Sequence, residues 1–280
     1  MLRPERMSRV SVTGSKRVMD DVIETIHDLH LLHVTEYDGT WKGFDPGDPE
    51  PGADKASDKL VTVRSLLSIL RVDEENAGPT RIITDEALEE DLEKVRQVVN
   101  ELDDQRESSE NELRNVQEQI DSLEPFVELG IELDLLSGYN TLSVAVGEGD
   151  YDAVERALVD ADAVEEFELF SEGDVVAVFA YPDVGLEDAL VSAEFTRYEL
   201  PGAEGAPQEH VTELEYRCQQ LESELTRVED QLESLRLDYG GFLLAAEEKL
   251  AIEVQKREVP LGFATTENAF VAEGWIPSPD

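Results

Sequence analysis

The chain has 280 residues, 40% of them apolar and 32% charged, with acids outnumbering bases 66 to 23 for a net charge of −43. That balance excludes nucleic acid, whose phosphates demand Lys and Arg on one face, and it argues against an anionic membrane surface. The acids are spread along the whole chain, which reads as a solvated acidic surface kept soluble in concentrated salt, where charges are screened within about 3 Å at 1 M; the expected source is a salt-loving organism.

Cys218 is the lone cysteine, which fits a reducing compartment. The opening "MLRPERMSRV" has no apolar stretch of a signal peptide, and no run reaches the ~18 apolar residues of a membrane span. As given, the chain reads as soluble.

In chain order, "RVSVTGS" (9–15) predicts a strand, "RVMDDVIETIHDLHLL" (17–32) an amphipathic helix with Val18, Val22, Ile26 and Leu29 on its stripe, and "HVTEYD" (33–38) a second strand. The segment 39–57 is rich in Gly and Pro and reads as a loop. A short apolar helix follows over 58–71, with Leu60, Val63, Leu67 and Leu70 aligned. Leu88, Leu92, Val95, Val99, Leu102, Arg106, Ser109, Leu113, Val116, Ile120 and Leu123 then alternate spacings of three and four, the pattern of a coiled-coil seam. The predicted helix spans 85–124, about 60 Å at 1.5 Å per residue, and is expected to stop at Pro125.

Between 130 and 201 the pattern is βαββαβ: "NTLSVAVGE", "YDAVERALVDA", "VEEFELF", "DVVAVFAY", "GLEDALVSAE" and "FTRYELP". That order suggests a ferredoxin-like sandwich. The heptads return at Val211, Leu214, Cys218, Leu221, Leu225, Val228, Leu232, Leu235, Tyr239 and Phe242, so one helix goes out and an antiparallel one comes back. Gly240 and Gly241 interrupt its end and are candidates for a hinge, each Gly costing about 1 kcal/mol in a helix interior; the alternative is that they admit the 58–71 helix to close approach. The chain closes on "NAFVAEGWIPSPD", a strand leading into a turn. The expected fold is α+β: two ferredoxin-like lobes, the one built from both chain ends incomplete, separated by a long antiparallel coiled coil. The expected boundaries are 1–50 plus 258–280 for the proximal lobe, 54–124 and 206–257 for the arms, and 130–201 for the distal lobe.

The opening strand, Gly turn, helix and Leu–His step into the next strand, together with "FVAEGWIP" near the end, resemble the cytoplasmic N-terminal part of subunit I (subunit a) of archaeal A-type and vacuolar-type rotary ATPases. The residues that carry the resemblance are Gly14, His33, Glu273, Gly274, Trp275 and Pro277, and the two heptad arms around a small lobe match the family layout. The resemblance implies a non-catalytic stator, clamped by peripheral-stalk coiled coils, at the cytoplasmic face of the cell membrane. It further implies that a helix, a strand and a membrane domain follow in the full-length protein, so the chain reads as a fragment cut inside its proximal lobe. The family's membrane arginine lies outside it, and no proton-path residue carries over.

No catalytic, cofactor-binding or metal-binding residue is assigned, and no small-molecule substrate is expected. There is no G-x-x-x-x-G-K-[ST] loop, and "GEGD" (147–150) holds too few glycines for a dinucleotide site. His27, His30 and His33 lack the spacing and Cys partners of a metal centre and read as helix-end charge complement and strand packing. Cys218 reads as a core residue. Arg106 is expected to reach past the seam to Glu222 or Glu229. Alternation along "DVVAVFAY" places Phe179 and Tyr181 on an open sheet face beside Ala145, a candidate partner contact, unless the coiled-coil ends fold over it. A different class of function, a coiled-coil regulatory or ligand-sensing module with a ferredoxin-like domain, is compatible with the charge. An RNA-binding sheet is not, because the 130–201 segment offers only Arg156 and Arg197.

Overall fold

The computed structural model describes residues 6–29, 31–79, 84–182 and 185–278. In chain order its elements are β1 (Met7–Ser15), α1 (Met19–Leu29), β2 (His33–Thr35), β3 (Asp45–Pro46), α2 (Ala53–Ile69), α3 (Asp85–Leu129), β4 (Ser143–Glu148), α4 (Tyr151–Val159), β5 (Glu166–Glu172), β6 (Val175–Tyr181), α5 (Leu186–Ser192), β7 (Thr196–Arg197), α6 (Pro207–Glu258), β8 (Ala264–Thr265) and β9 (Ala269–Pro277). They divide into two compact units, Met1–Asp103 with Asp230–Asp280, and Asp104–Glu229.

In the first unit β9 organises a mixed-length antiparallel sheet. It pairs with β1 from Met7↔Pro277 to Ser15↔Ala269, with β2 from His33↔Trp275 to Thr35↔Glu273, and with β8, which in turn pairs with β3. The inward face carries Phe270 and Ala272, packed with Phe263 and with Ile23 of α1. Phe263 stacks on Phe270 at 5.7 Å. The predicted stripe of α1 needs correction. Val18 and Leu29 are exposed, and Ile23 is the buried residue, with Met19 and Val22 beside it. The reason is local: Lys16–Val18 form a tighter 3-10 turn begun by Ser15, so Val18 is out of phase with the α-helix that starts at Met19.

α2 also starts earlier than expected, at Ala53. Gly52, at φ 91°, closes the turn that launches it, and Ala53 and Ala56 are buried. The expected stripe of Leu60, Val63, Leu67 and Leu70 is buried as read, with Leu66 added. Leu88 to Leu102 on α3 and Phe242, Leu243, Ala246 and Leu250 on α6 are buried in the same unit. Lys59 reaches Glu89 at 2.6 Å and Arg64 reaches Glu247 at 2.9 Å, tying α2 to α3 and to α6. Pairs this exposed add little to stability but fix which helices are neighbours.

In the second unit the four strands lie in the order β5-β6-β4-β7, all antiparallel. Two apolar layers sandwich them. Val176, Val178 and Ala180 face Val154, Leu158, Leu186 and Leu190 of α4 and α5. Val175 and Ala177 face Leu123, Phe126, Leu133, Leu136 and Val211. A second correction follows from the latter layer: Pro125 does not stop α3, which runs on to Leu129. Pro125 gives up one helical hydrogen bond, at a typical cost of about 3 kcal/mol, but the added turn buries Phe126, whose truncation would cost about 3–5 kcal/mol. The helix ends instead at Gly130, at φ 64°, whose N–H donates to the Phe126 carbonyl at 3.2 Å. On the predicted seam Ser109 is buried, Arg106 pairs with Glu110 one turn along at 4.0 Å, and Arg217 of α6 bonds Glu112 of α3 at 2.6 Å.

Candidate interaction surfaces

The six residues that carry the family resemblance, distant in sequence, gather in one sheet. Gly274 sits opposite Val34, and a Cβ added to it would lie 2.4 Å from the His33 carbonyl oxygen and 2.7 Å from Leu32 Cδ1. Only glycine lets β2 lie that close to β9. Gly14 is covered in the same way by the Phe270 ring, 2.9 Å from where its Cβ would stand. Pro277 pairs with Met7, and the next amide, Ser278 N–H, donates to the Arg6 carbonyl at 2.7 Å.

Glu273 and Trp275 point to the other face of this sheet. Glu273 accepts from Arg9 of β1 at 2.5 Å. Trp275 is 43% exposed and sits in register between Arg9 and His33. Ser11, Thr13 and Thr35 complete this outward face and are exposed. Beneath Tyr37 and Trp41, where the 37–44 loop turns back, a hollow of about 110 Å³ is lined by Arg9, Thr35, Val271 and Glu273. Tyr37 Oη donates to the Trp41 carbonyl at 3.2 Å and accepts from its N–H at 3.0 Å, which locks that loop.

On the second unit the predicted contact group does not stay together. Ala145 pairs with Val178 and is fully buried in the layer under α4 and α5, the face opposite Phe179. The apolar run Val144–Ala145–Val146 gave no polar residue from which to read parity. Phe179 and Tyr181 lie on the other face, which the ends of α3 and α6 cover rather than leave open. Phe179 is half-buried, at the margin of the layer formed with the ends of α3 and α6, and Tyr181 is 44% exposed. The residue missed is Phe170 of β5, 47% exposed and edge-on to Phe179 at 5.8 Å. Its signal was present in "EFELF", where alternation sets Glu166, Glu168 and Phe170 on one side.

Gly240 and Gly241 are buried inside a continuous α6. A Cβ on Gly240 would stand 2.9 Å from the Ala77 carbonyl oxygen and 3.0 Å from its Cα, so the segment after α2, rather than α2 itself, makes the close approach. Among the histidines, His27 and His33 of β2 line one cleft of about 470 Å³ with Ile26, Leu32, Gln255 and Val259, and His30 lies outside the described residues. Among the described residues no three His, Cys, Asp or Glu side chains are grouped to hold a metal ion, and no helix is long and apolar enough to cross a membrane. Burial, and then Glu222 and Glu215, push the Cys218 thiol upward. Burial, followed by the charge and hydrogen bond of Asp20, raises Glu50, which Arg257 only partly opposes.

No protein-family model matches the chain. It is 54% identical over 99% of its length to A-type ATP synthase subunit I of Halobacterium salinarum. The chain is a relative of A-type ATP synthase subunit I. The subunit I of Archaeoglobus fulgidus is 31% identical over 99% of the chain. This chain spans 39% and 42% of the length of those two relatives. Its fold is similar to the crystal structure of the cytoplasmic N-terminal domain of subunit I, the homolog of subunit a, of V-ATPase: 18% identity, 96% of this chain and 93% of that one, TM-score 0.50.

Proposed function

We propose that the chain forms the cytoplasmic, non-catalytic stator part of subunit I in a proton-translocating A-type rotary ATP synthase. It links peripheral-stalk coiled coils to the membrane domain of the full-length subunit, at the cytoplasmic face of the membrane. The 54% identity to a subunit I over nearly the whole chain carries this reading. The layout supports it. The order β5-β6-β4-β7 with α4 and α5 on one face agrees with a ferredoxin-like distal lobe over 130–201. The buried heptad positions of α3 and α6 and the Arg217–Glu112 bond agree with antiparallel coiled-coil arms over 54–124 and 206–257. The β1–β9 pairing agrees with a proximal lobe made from 1–50 and 258–280.

A stator works by resisting torque, so its demands are stiffness and tight attachment rather than a reacting group. Paired helices with an apolar seam, interrupted at Arg106 and Ser109, supply stiffness. For attachment in concentrated salt, long-range steering is screened, and buried apolar anchors have to hold the partner. Phe179 and Tyr181, with Phe170 added, are our candidates for the stalk contact, and Gly240 and Gly241 for a point of elastic give. The test mixes the purified chain with its peripheral-stalk subunit pair in molar KCl and follows complex formation by sedimentation. Binding is expected, weakened by Phe179→Ala with Tyr181→Ala while the melting temperature holds. A chain that ignores the stalk pair would overturn the stator reading.

A further inference from the structure

We propose that residues 71–78 form a clasp that closes over α6 at Gly240 and Gly241 and gates whether the helix bends there. Closed, it holds the glycine pair straight; opened, it releases a joint. The clasp concerns the mechanics of α6 alone and does not depend on the stator reading.

The sequence sets the weak point. Glycine is among the poorest helix formers, and helices kink where such small residues are paired. Yet α6 runs unbroken from Pro207 to Glu258, with Gly240 and Gly241 both buried. What covers Gly240 is main chain from outside the helix. A Cβ on Gly240 would stand 2.9 Å from the Ala77 carbonyl oxygen, 3.0 Å from its Cα and 3.2 Å from its carbonyl carbon. Gly78, at φ 68°, approaches α6 as closely: a Cβ there would lie 3.0 Å from the Leu237 carbonyl oxygen. Of residues 71–78 only Ala77 is buried, so the clasp grips the helix through one small residue seated on a glycine.

The clasp also holds its own shape. At the end of α2 the Arg71 N–H donates to the Ser68 carbonyl at 3.1 Å and the Val72 N–H to the Leu67 carbonyl at 2.9 Å. This reversal puts Arg71 at φ 51°, in the left-handed region usually left to glycine. Asp73 and Asn76 then tie the turn. Asp73 Oδ1 accepts from the Glu75 and Asn76 amides at 3.0 and 2.9 Å. Asn76 Oδ1 accepts from the Asp73 amide at 2.9 Å, and Asn76 Nδ2 donates to the Arg71 carbonyl at 3.0 Å. These four bonds lie at the surface, where water competes for them. Exposed hydrogen bonds and few buried contacts mark a segment that opens locally, well below the free energy of global unfolding. The clasp is therefore a two-state element, and the glycines lie beneath it.

The test uses the whole chain in molar KCl and two mild variants. Asn76→Ala removes two of the turn's bonds, and Ala77→Gly removes its one buried side chain. Hydrogen exchange, read by mass spectrometry, should quicken about tenfold across residues 237–244 in Asn76→Ala, two lost bonds at roughly threefold each. It should move the same way in Ala77→Gly, and if one variant does not fold the other carries the comparison. Nitroxides at Ser234→Cys and Glu248→Cys, both exposed positions, flank the glycines about 21 Å apart along the helix in a Cys218→Ser background. Their distance distribution should widen in both variants. Exchange and distances that match the wild type overturn the clasp. Faster exchange with unchanged distances shows a cover without a gate and also overturns it. So does exchange that quickens equally at Val63–Leu67 of α2 and Leu250–Val254 of α6, because the variants then loosen the unit as a whole.

Discussion

Replacing Gly274 by alanine tests whether the motif glycine is a packing requirement. Its new Cβ would stand 2.4 Å from the His33 carbonyl oxygen, where ordinary contact begins at 3.4 Å, so that oxygen must retreat by 3.4 − 2.4 = 1.0 Å. Ladder hydrogen bonds span about 2.7–3.2 Å, and a displacement of this size breaks the pair of ladder bonds that holds β2 to β9 beside Gly274. Two lost bonds at about 1 kcal/mol each, with Leu32 displaced from a carbon now 2.7 Å away, give a cost of about 2–4 kcal/mol, in the range of overpacking changes. At roughly 2–4 °C per kcal/mol for a chain of this size, the melting temperature should fall by about 4–16 °C. The assay is a circular-dichroism melt in molar KCl, with hydrogen exchange at the Val34 and Thr35 amides locating the loss. Gly202→Ala is the control, because nothing lies within 4 Å of its added Cβ, and it should melt with the wild type or slightly above it. If Gly274→Ala melts with the control, the steric reading of the motif is wrong.

The net charge of −43 predicts a lower melting point as salt falls from 1 M to 0.1 M and the screening length grows from about 3 to about 10 Å; equal melts at both ends would reject the halophilic reading. Gly240→Ala should destabilise the first unit despite the gain of about 1 kcal/mol in helix propensity, because its methyl meets Ala77 main chain at 2.9 Å. In Gly241→Ala, spin-label distances across α6 report on elasticity, and an unchanged distance distribution would dispose of the hinge. Glu50 has a raised folded pKa, owed first to burial and then to Asp20; the stability it lends is therefore complete below its ordinary value of 4.5 and is lost as pH rises through the folded value. Glu50→Gln should then raise the melting temperature at neutral pH and leave it unchanged in acid; a variant less stable at pH 7 would refute the linkage.

Much of this was legible in the sequence where the signal is local. Leu88, Leu92, Val95, Val99 and Leu102 repeat every three or four residues and are all buried, and in the second run Leu221, Val228, Leu232 and Phe242 are buried while Leu225, Leu235 and Tyr239 are half-buried. The hairpin of β5 and β6 turns at "SEGD", where Gly173 takes φ 59°. What failed was set by partners far along the chain. Ala145 sits in the apolar run Val144–Val146, so its face is decided by β6 through the Ala145↔Val178 pair. Pro125 looks like a stop until the sheet that buries Phe126 is known. β3 and β8 are two residues each, too short to carry a period. The motif residues were read by resemblance, and the close packing of Gly14 under Phe270 and Gly274 against His33 appears only when the two chain ends are laid side by side. Phe170 was readable but outweighed by the louder β6.

The β1–β9 ladder also sets a schedule. Arg9 and Glu273, which bond across it, are 264 residues apart, so at about 5–20 residues per second of synthesis the first strand waits roughly a quarter of a minute to a minute for its partner. The second unit's strands all lie within 143–197 and can pair during that wait. Meanwhile β1 stands as an open edge whose serines, threonine and Arg9 alternate with Val10 and Val12, a composition that discourages pairing with a stranger. Neither end can then be trimmed alone: removing β9 leaves β1 and β2 with no strand between them, and removing the first 35 residues strips β9 of two of its three neighbours.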